Sequence, residues 1–266
     1  MRHALITGGS SGIGLALAAR LAREGHALSL LARDVARLEA AHKRILELAP
    51  AAEVHVYSVD VGDADACADA VRRALEQSGP PAWAIACAGT VRPIRFLDQP
   101  LAAHTEQMRI NYFGSLHLAR AVVPAMIAGG GGKLVLVASA AAICGIYGYS
   151  GYGASKFAVR GLAESLSVEL RGEGIDITLV YAPDTDTPML AAERAERSAI
   201  TSRIAEMGGV WQPDDLASVI ISGAKRRKFV VAPGLALRLL YAFQGLVAPI
   251  LRSHQRRIVG AARRTP

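Results

Sequence analysis

The sequence predicts a single α/β domain in which helices cover both faces of a doubly wound parallel sheet. Three observations lead to this fold class. Short apolar runs alternate along the chain with longer segments of helical periodicity, and the connections between them are short. Apolar residues make up 52% of the 266 residues, which is enough to bury a central sheet on both faces. Strands that are separated by crossover helices run parallel.

Six strands and five main helices are predicted in alternation. The strands read HALITGG, ALSLLAR, EVHVYSVDV, AWAIACAG, KLVLVAS and DITLVY. The helices read GLALAARLAREG, DVARLEAAHKRILELA, DADACADAVRRALEQSG, a long segment over about 105–128, and GYGASKFAVRGLAESLSVEL. We place the domain boundary after residue 224 and expect an apolar and basic extension over 225–266.

The turn after the first strand, TGGSSGIG, is the first candidate binding site. Its glycines let the backbone turn tightly and approach a pyrophosphate, which the N–H groups and the positive end of the next helix can hold. Because the turn lies between the first strand and the first helix, it predicts a Rossmann-type dinucleotide site. The predicted contacts here are Gly8, Ser10, Ser11, Gly12, Ile13 and Gly14.

The residues after the second strand favour NADP(H) over NAD(H). Ala32 stands where NAD sites place an acidic residue, and Arg33 follows it. Arg37 comes one helical turn later, and two guanidinium groups suit a 2′-phosphate. The alternative is that Arg37 is only a solvated helix residue. Asp60, at the end of the third strand, is a candidate acceptor for the adenine amine, with Val61 beside it.

The segment YGASK opens a helix and places Tyr152 and Lys156 on one helix face. Ser139 ends the preceding strand, and Asn111 lies in the long helix before it. A free phenol titrates near pH ~10. A nearby ammonium favours the phenolate, so we expect Lys156 to lower the pKa of Tyr152.

Together these motifs resemble the short-chain dehydrogenase/reductase superfamily. The resemblance implies that Tyr152 exchanges a proton with a carbonyl oxygen while a nicotinamide carries the hydride. It also implies that Ser139 hydrogen-bonds that oxygen and that Asn111 holds a water linking Lys156 to solvent. The family usually has N-N-A-G after the fourth strand, where this chain has ACAG. The cofactor contacts at Ala88 and Gly89 should survive, whereas a local turn hydrogen bond should be lost.

The stretch PDTDTP after the sixth strand narrows the resemblance. Many family members have P-G here; this chain keeps Pro183, replaces the glycine by Asp184 and has Thr187 at the position that contacts the nicotinamide carboxamide. With YGASKFAVRGLAE and VARLEAAHKRI, the stretch is similar to the 3-ketodihydrosphingosine reductases. That resemblance implies NADPH-dependent reduction of the ketone of 3-ketosphinganine in sphingolipid synthesis. The alternatives are reduction of another lipid, steroid or β-keto acyl substrate, and a non-catalytic NADP(H)-binding protein.

The same stretch suggests how a sphingoid substrate could be recognised. Such a ketone carries an ammonium on the adjacent carbon, which Asp184 or Asp186 could pair with. The competing interpretation is that one of these aspartates caps a short helix beginning near Pro188. We expect a substrate lid over about 184–210, with an apolar face toward the alkyl chain.

The charge of the chain is concentrated at its C-terminal end. Its net charge is +7, yet the last acidic residues are Asp214 and Asp215. The ten later bases are Lys225, Arg226, Arg227, Lys228, Arg238, Arg252, Arg256, Arg257, Arg263 and Arg264. Nine of them flank the apolar stretch 229–251 and Arg238 lies within it, a pattern that predicts a helix in the interface of an anionic membrane. Packing on the protein and a true membrane span are the alternatives.

The three cysteines fit no metal spacing, so no metal site is predicted. Basic residues without interleaved aromatic residues do not favour nucleic-acid binding. MRHALITGG runs directly into a strand, which predicts no signal peptide and a cytoplasmic location, peripheral to the membrane if the C-terminal segment binds there. A homo-oligomer, dimer or tetramer, is expected.

Overall fold

A computed structural model describes residues 2–205 and 209–262 of the chain. These residues form one parallel sheet in the order β3-β2-β1-β4-β5-β6-β7. Its strands are β1 Arg2–Thr7, β2 His26–Ala32, β3 Val54–Ser58, β4 Pro81–Ala86, β5 Gly132–Val137, β6 Ile175–Val180 and β7 Val230–Val231. The strand order reverses between β1 and β4, so a crevice opens there at the carboxyl ends of the strands. The predicted doubly wound α/β fold is confirmed.

Helices connect the strands and cover both faces of the sheet. They are α1 Gly12–Arg23, α2 Val35–Leu48, α3 Ala64–Ser78, α4 Leu101–Met108, α5 Gly114–Ala128, α6 Ser150–Glu169, α7 Pro188–Glu196, α8 Ala199–Ala205, α9 Pro213–Lys225, α10 Gly234–Ala242 and α11 Gln244–Ala262. A π-helical turn, Arg109–Phe113, joins α4 to α5. The predicted long helix therefore begins at Leu101, earlier than expected, and is interrupted in its middle.

Side chains that alternate along the strands build two cores. In β1, Leu5 belongs to the core beneath α3, α5 and α6, whereas Ile6 belongs to the core beneath α1, α2 and α9. Both side chains are fully buried. Because each strand is covered on both faces, it must be apolar at nearly every position. That requirement explains why the strands appear in the sequence as uninterrupted apolar runs.

The last strand lies beyond the predicted boundary at residue 224. In β7, Val230 and Val231 pair with Leu179 and Val180 of β6. A strand of two residues is too short to show a period-2 pattern, so its sequence offered no signal for it. Leu237 and Tyr241 pack against the core as well. The sheet and its core thus continue into the segment that was predicted to be a separate extension.

The apolar stretch 229–251 consequently forms a strand and two helices instead of one interfacial helix. Helices α10 and α11 meet at a bend of 108°. Within the described ranges no helix taken alone has the length and apolar character to cross a membrane; this bent pair meets that test only when its two helices are combined. Arg263 and Arg264, the last two of the ten C-terminal bases, lie outside the described residues.

The contact between α9 and β7 gives a stability prediction. A Cβ placed on Gly223 of α9 would lie 2.4 Å from Cγ2 of Val231, which is buried and cannot yield freely. We expect Gly223→Ala to lower the free energy of unfolding by about 1–3 kcal/mol. Urea denaturation measures it. The control is Gly161→Ala on α6, where a Cβ meets no atom within 4 Å; it should be neutral or stabilising by up to about 1 kcal/mol. Equal stability of both variants would contradict the tight packing of β7 against α9.

Candidate active site

The glycine-rich turn after β1 lies directly against the end of β4. Gly8 has φ +70°, and a Cβ there would be 2.8 Å from the backbone nitrogen of Ala88. A Cβ on Gly14 would be 2.2 Å from the carbonyl oxygen of Gly8. A Cβ on Gly12, at φ +51°, would meet the Thr187 side chain at 2.8 Å. No larger residue fits at these three positions, so the backbone is exposed to the crevice where a pyrophosphate would rest.

A side chain of β1 forms hydrogen bonds with the turn that contains ACAG. The hydroxyl of Thr7 accepts hydrogen bonds from the N–H groups of Cys87 at 3.2 Å and Ala88 at 3.3 Å. It donates to the carbonyl of Ile85 at 3.4 Å. Although the usual amides are missing after β4, Thr7 thereby ties this turn to β1.

Arg33 follows β2 and Arg37 lies in the first turn of α2, and both side chains are exposed. Arg33 is 61% exposed and its Nη1 is 3.9 Å from Glu106. Arg37 is 63% exposed and its Nε is 3.4 Å from Asp34, which also caps α2 by accepting from the Arg37 N–H. Neither guanidinium is saturated by these contacts, so both can take an additional anion.

Asp60 is held in its charged form by a residue that the sequence analysis did not single out. Its carboxylate accepts from Nη2 of Arg109 at 2.8 Å and from the Gly62 N–H at 2.9 Å. Burial opposes the charge, but these hydrogen bonds outweigh it and lower the pKa of Asp60. A carboxylate has further lone pairs for an adenine amine. Val61, beside it, is buried.

The predicted catalytic side chains converge on one cavity. Tyr152 and Lys156 come from the first two turns of α6, and Ser139 follows β5. All three line the cavity. The buried Lys156 donates from Nζ to the carbonyl of Val137 at 3.0 Å and lies 5.8 Å from the centre of the Tyr152 ring.

Burial shifts the pKa of Tyr152 in the direction opposite to the predicted one. We predicted that Lys156 would lower it, yet desolvation in the cavity wall raises the pKa of Tyr152 well above its usual value. The Ser139 hydroxyl acts in the opposite direction, and the charges of Glu193 and Asp184 add to the rise. Desolvation also lowers the pKa of Lys156, to about 8. The phenol is therefore protonated at neutral pH.

Asn111 lies in the π-helical turn between α4 and α5, a feature often found at functional sites. Its side-chain amide donates to the Thr90 carbonyl at 2.9 Å and to the Ser155 hydroxyl at 2.8 Å, and it accepts from the Thr90 N–H at 2.7 Å. A Cβ on Gly89 would be 3.2 Å from Asn111 Oδ1 and 3.6 Å from Lys156 Nζ. Asn111 thus holds the chain after β4 beside Lys156, while the water relay stays a prediction.

The cavity has a volume of about 420 Å³ and extends from the catalytic residues to the C-terminal helices. Met189, Leu190 and Ile204 line it from the predicted lid. In the structure the segment predicted to be the lid contains α7 and α8, and its residues 206–208 lie outside the described ranges. The far end is lined by apolar side chains of α10 and α11, Leu237, Leu240 and Leu251 among them.

The structure contradicts the interpretation that an aspartate of PDTDTP caps the short helix, while ammonium binding by Asp184 or Asp186 stays a prediction. Neither aspartate caps α7, because the Thr187 hydroxyl accepts from the Leu190 N–H at 3.2 Å. Asp186 is exposed and does not line the cavity, whereas Asp184 and Pro183 do. Asp184 pairs at 3.0 Å with Arg197.

Three residues of this region were missed in the sequence analysis. Arg197 also pairs with Glu193 at 2.7 Å, and Glu193 accepts from the Tyr149 hydroxyl. Tyr149 and Glu193 line the cavity. The spacing of Glu193 and Arg197 is typical of a helical ion pair, but such pairs usually lie on a solvated face. Only the fold shows that this one is turned inward.

These features fit a dinucleotide that carries a 2′-phosphate. The three glycines leave the room that a Cβ would fill, and the positive end of α1 faces it. Arg33 and Arg37 supply exposed positive charge after β2, where the 2′-phosphate is predicted to bind. The cavity that Tyr152 and Thr187 line leaves space for a nicotinamide.

Comparisons with known proteins agree with this geometry. Residues 2–198 match the family model described as short chain dehydrogenase. A 3-dehydrosphinganine reductase of Danio rerio is 36% identical over 87% of this chain and 71% of its own length. One from Arabidopsis thaliana is 40% identical over 86% of this chain and 69% of its own. A short-chain dehydrogenase from Sphingobium yanoikuyae, solved in complex with NADPH, has a TM-score of 0.80 and 29% identity, covering 95% of this chain and 96% of its own. The chain belongs to the short-chain dehydrogenase family.

Proposed function

We propose that this chain is a ketone reductase that uses NADPH to convert 3-ketosphinganine to sphinganine. One observation carries the proposal: the protonated Tyr152 lines a mostly apolar cavity that is also lined by apolar side chains of α10 and α11, as reduction of a lipid ketone requires. The relatives named 3-dehydrosphinganine reductase support the choice of substrate. The substrate's alkyl chain would lie between the lid and the C-terminal helices, where burial of its methylenes favours binding.

The residues that would hold the cofactor follow from the crevice. The turn at Gly8, Gly12 and Gly14 would receive the pyrophosphate, and Arg33 and Arg37 the 2′-phosphate. Bound NADPH supplies the hydride that reduces the carbonyl carbon. Pro183 and Thr187, which line the cavity next to Gly12, would orient the nicotinamide ring.

The chain itself supplies the proton. Because burial keeps the Tyr152 phenol protonated at neutral pH, its O–H can be donated to the carbonyl oxygen as the alcohol forms. The Ser139 hydroxyl would donate a hydrogen bond to the same oxygen. Lys156, with a pKa of about 8, is mostly charged at pH 7 and stabilises the phenolate that Tyr152 becomes. This division of roles favours the reductive direction.

The test of function is oxidation of NADPH by the purified protein with three ketones: 3-ketosphinganine, a β-keto acyl thioester and a steroid ketone. We expect turnover with the first to exceed that with the others.

Tyr152→Phe should lower the turnover of 3-ketosphinganine by a factor on the order of 10²–10⁴, because it removes only the proton donor. Its NADPH affinity, measured by fluorescence titration, should be unchanged. Undiminished turnover would remove Tyr152 from the mechanism, and preference for another ketone would reassign the substrate.

Cofactor choice depends on the exposed arginines. Arg33→Asp replaces a cation with an anion at the 2′-phosphate position, so the KM for NADPH should rise at least about 10-fold more than the KM for NADH. Arg44→Asp is the matched control, since Arg44 is equally exposed on α2 and pairs with Glu47. If the two KM values rise in parallel, the arginine does not bind the phosphate.

We also propose peripheral contact with an anionic membrane through the outer side of α10 and α11. Five large apolar side chains are exposed there: Leu235, Leu239, Phe243, Leu246 and Ile250. Arg238, Arg252, Arg256 and Arg257 are exposed nearby and form no ion pair with any described residue. Lys225 and Arg227, in contrast, pair with Glu24 and Asp176.

The position of this surface supports the proposal. Leu235 lines the cavity while remaining 71% exposed, so the apolar surface continues into the cavity. The pair of helices is anchored to the body of the protein: Gln255 accepts from the Tyr147 N–H at 3.0 Å, and Gln244 accepts from Arg160 at 2.7 Å. A lipid substrate could then pass from the membrane to Tyr152 without crossing water.

Liposome flotation tests this contact. The protein should float with anionic vesicles at low salt and be released at high salt, because exposed charges are screened. Leu246→Asp with Ile250→Asp should abolish flotation. Val168→Asp, at an apolar residue of α6 that is 76% exposed, should not. Protein that stays in the soluble fraction at low salt would favour packing of this surface on a protein. The cytoplasmic location and the dimer or tetramer stay predictions.

A further inference from the structure

An ion cluster, Asp184, Glu193 and Arg197 together with Tyr149, lies beside the catalytic tyrosine. Arg197 Nη2 donates to Asp184 Oδ2 at 3.0 Å and to Glu193 Oε1 at 2.7 Å. Its Nε donates to the Tyr149 hydroxyl and to Glu193 Oε1, both at 3.0 Å. The Tyr149 hydroxyl donates to the same Oε1. The cluster joins α7 to the chain that follows β6.

Four of these five hydrogen bonds end on a carboxylate, and they use only one oxygen of each carboxylate. Glu193 Oε1 accepts three of them and Asp184 Oδ2 accepts one. Glu193 Oε2 and Asp184 Oδ1 accept no hydrogen bond from any residue in the described ranges. Both side chains line the substrate cavity. Two carboxylate oxygens are therefore free to bind a donor that enters the cavity.

The charges of the cluster do not balance. One guanidinium faces two carboxylates, and the three side chains are 2%, 28% and 11% exposed for Arg197, Asp184 and Glu193. An uncompensated charge in such a place is costly unless a partner of opposite sign arrives. A cation in the cavity would provide that compensation.

The cluster is close to the place where the ketone is reduced. The rings of Tyr149 and Tyr152 are 5.7 Å apart between centres. Burial is the main cause of the raised pKa of Tyr152, and the charges of Glu193 and Asp184 act in the same direction. In 3-ketosphinganine the amine is bonded to the carbon next to the carbonyl, so an ammonium must lie within a few ångströms of the Tyr152 hydroxyl.

We infer that Glu193 Oε2 and Asp184 Oδ1 bind the ammonium group of the substrate and make the cavity selective for an amino ketone. The inference rests on the proposed function and assigns its substrate-recognition residues. Asp186, the other aspartate considered for this role, is exposed, and its N–H donates to the Trp211 carbonyl at 2.9 Å. A cluster that served only to fasten α7 would affect all ketones alike.

The experiment compares two substrates and three variants. The substrates are 3-ketosphinganine and its analogue with a hydroxyl in place of the amine. Glu193→Gln and Asp184→Asn remove one negative charge each and keep the side-chain shape. Glu196→Gln is the control, because Glu196 lies on the same helix and pairs at 2.5 Å with the exposed Arg92 outside the cavity.

For 3-ketosphinganine, Glu193→Gln should lower kcat/KM by roughly 10- to 100-fold, mostly through KM. For the hydroxyl analogue the same variant should change kcat/KM less than about 3-fold, since the analogue has no ammonium with which the carboxylate could form an ion pair. Asp184→Asn should show the same pattern, and Glu196→Gln should alter neither substrate. Thermal unfolding and NADPH titration of each variant show whether it is folded.

Equal losses on both substrates in folded variants would overturn the inference, as would a wild-type protein that prefers the analogue. Either result leaves ketone reduction itself intact. A wild-type protein that reduces neither ketone would instead refute the proposed function and this inference together. If Glu193→Gln does not fold, the substrate dependence of Asp184→Asn decides.

Discussion

The close approach between the turn after β1 and the end of β4 is the constraint on which the site depends. Gly14 must lie against the Gly8 carbonyl and Gly8 against the Ala88 backbone, at distances that exclude any side chain. Thr7 links the same two strands by accepting from Cys87 and Ala88. This contact sets the crevice at the point where the strand order reverses. It also brings Gly12 against Thr187, so the glycine-rich turn positions the residue that caps the start of α7.

Burial decides the chemistry of the catalytic residues. The nearby Lys156 ammonium suggested a phenol with a lowered pKa, but desolvation raises the pKa of Tyr152 and lowers that of Lys156 to about 8. The two shifts suit an enzyme that must donate a proton and then stabilise the anion left behind. Asn111 contributes by holding Thr90, which keeps Gly89 beside Lys156.

The lid and the C-terminal helices enclose the rest of the cavity by different physical means. Helix α7 is fastened by a buried guanidinium that contacts two carboxylates, so its attachment is electrostatic. Helices α10 and α11 are attached by apolar packing of Leu237 and Tyr241 and by two glutamines, and their outer side stays apolar. A substrate with a charged head and a long alkyl chain matches these two ends of the cavity.

Local sequence patterns determined the alternating strands and helices, the glycine turn, and the placement of Tyr152 and Lys156 on one helix face. These features depend on residues a few positions apart, so periodicity and spacing reveal them. The tertiary structure alone decided that Val230 and Val231 complete the sheet and that Arg109 holds Asp60. It also decided that Glu193 and Asp184 both line the cavity and that the buried Arg197 pairs with each of them. Each of these outcomes depends on partners that are distant along the chain or on burial. A local sequence pattern contains information about neither.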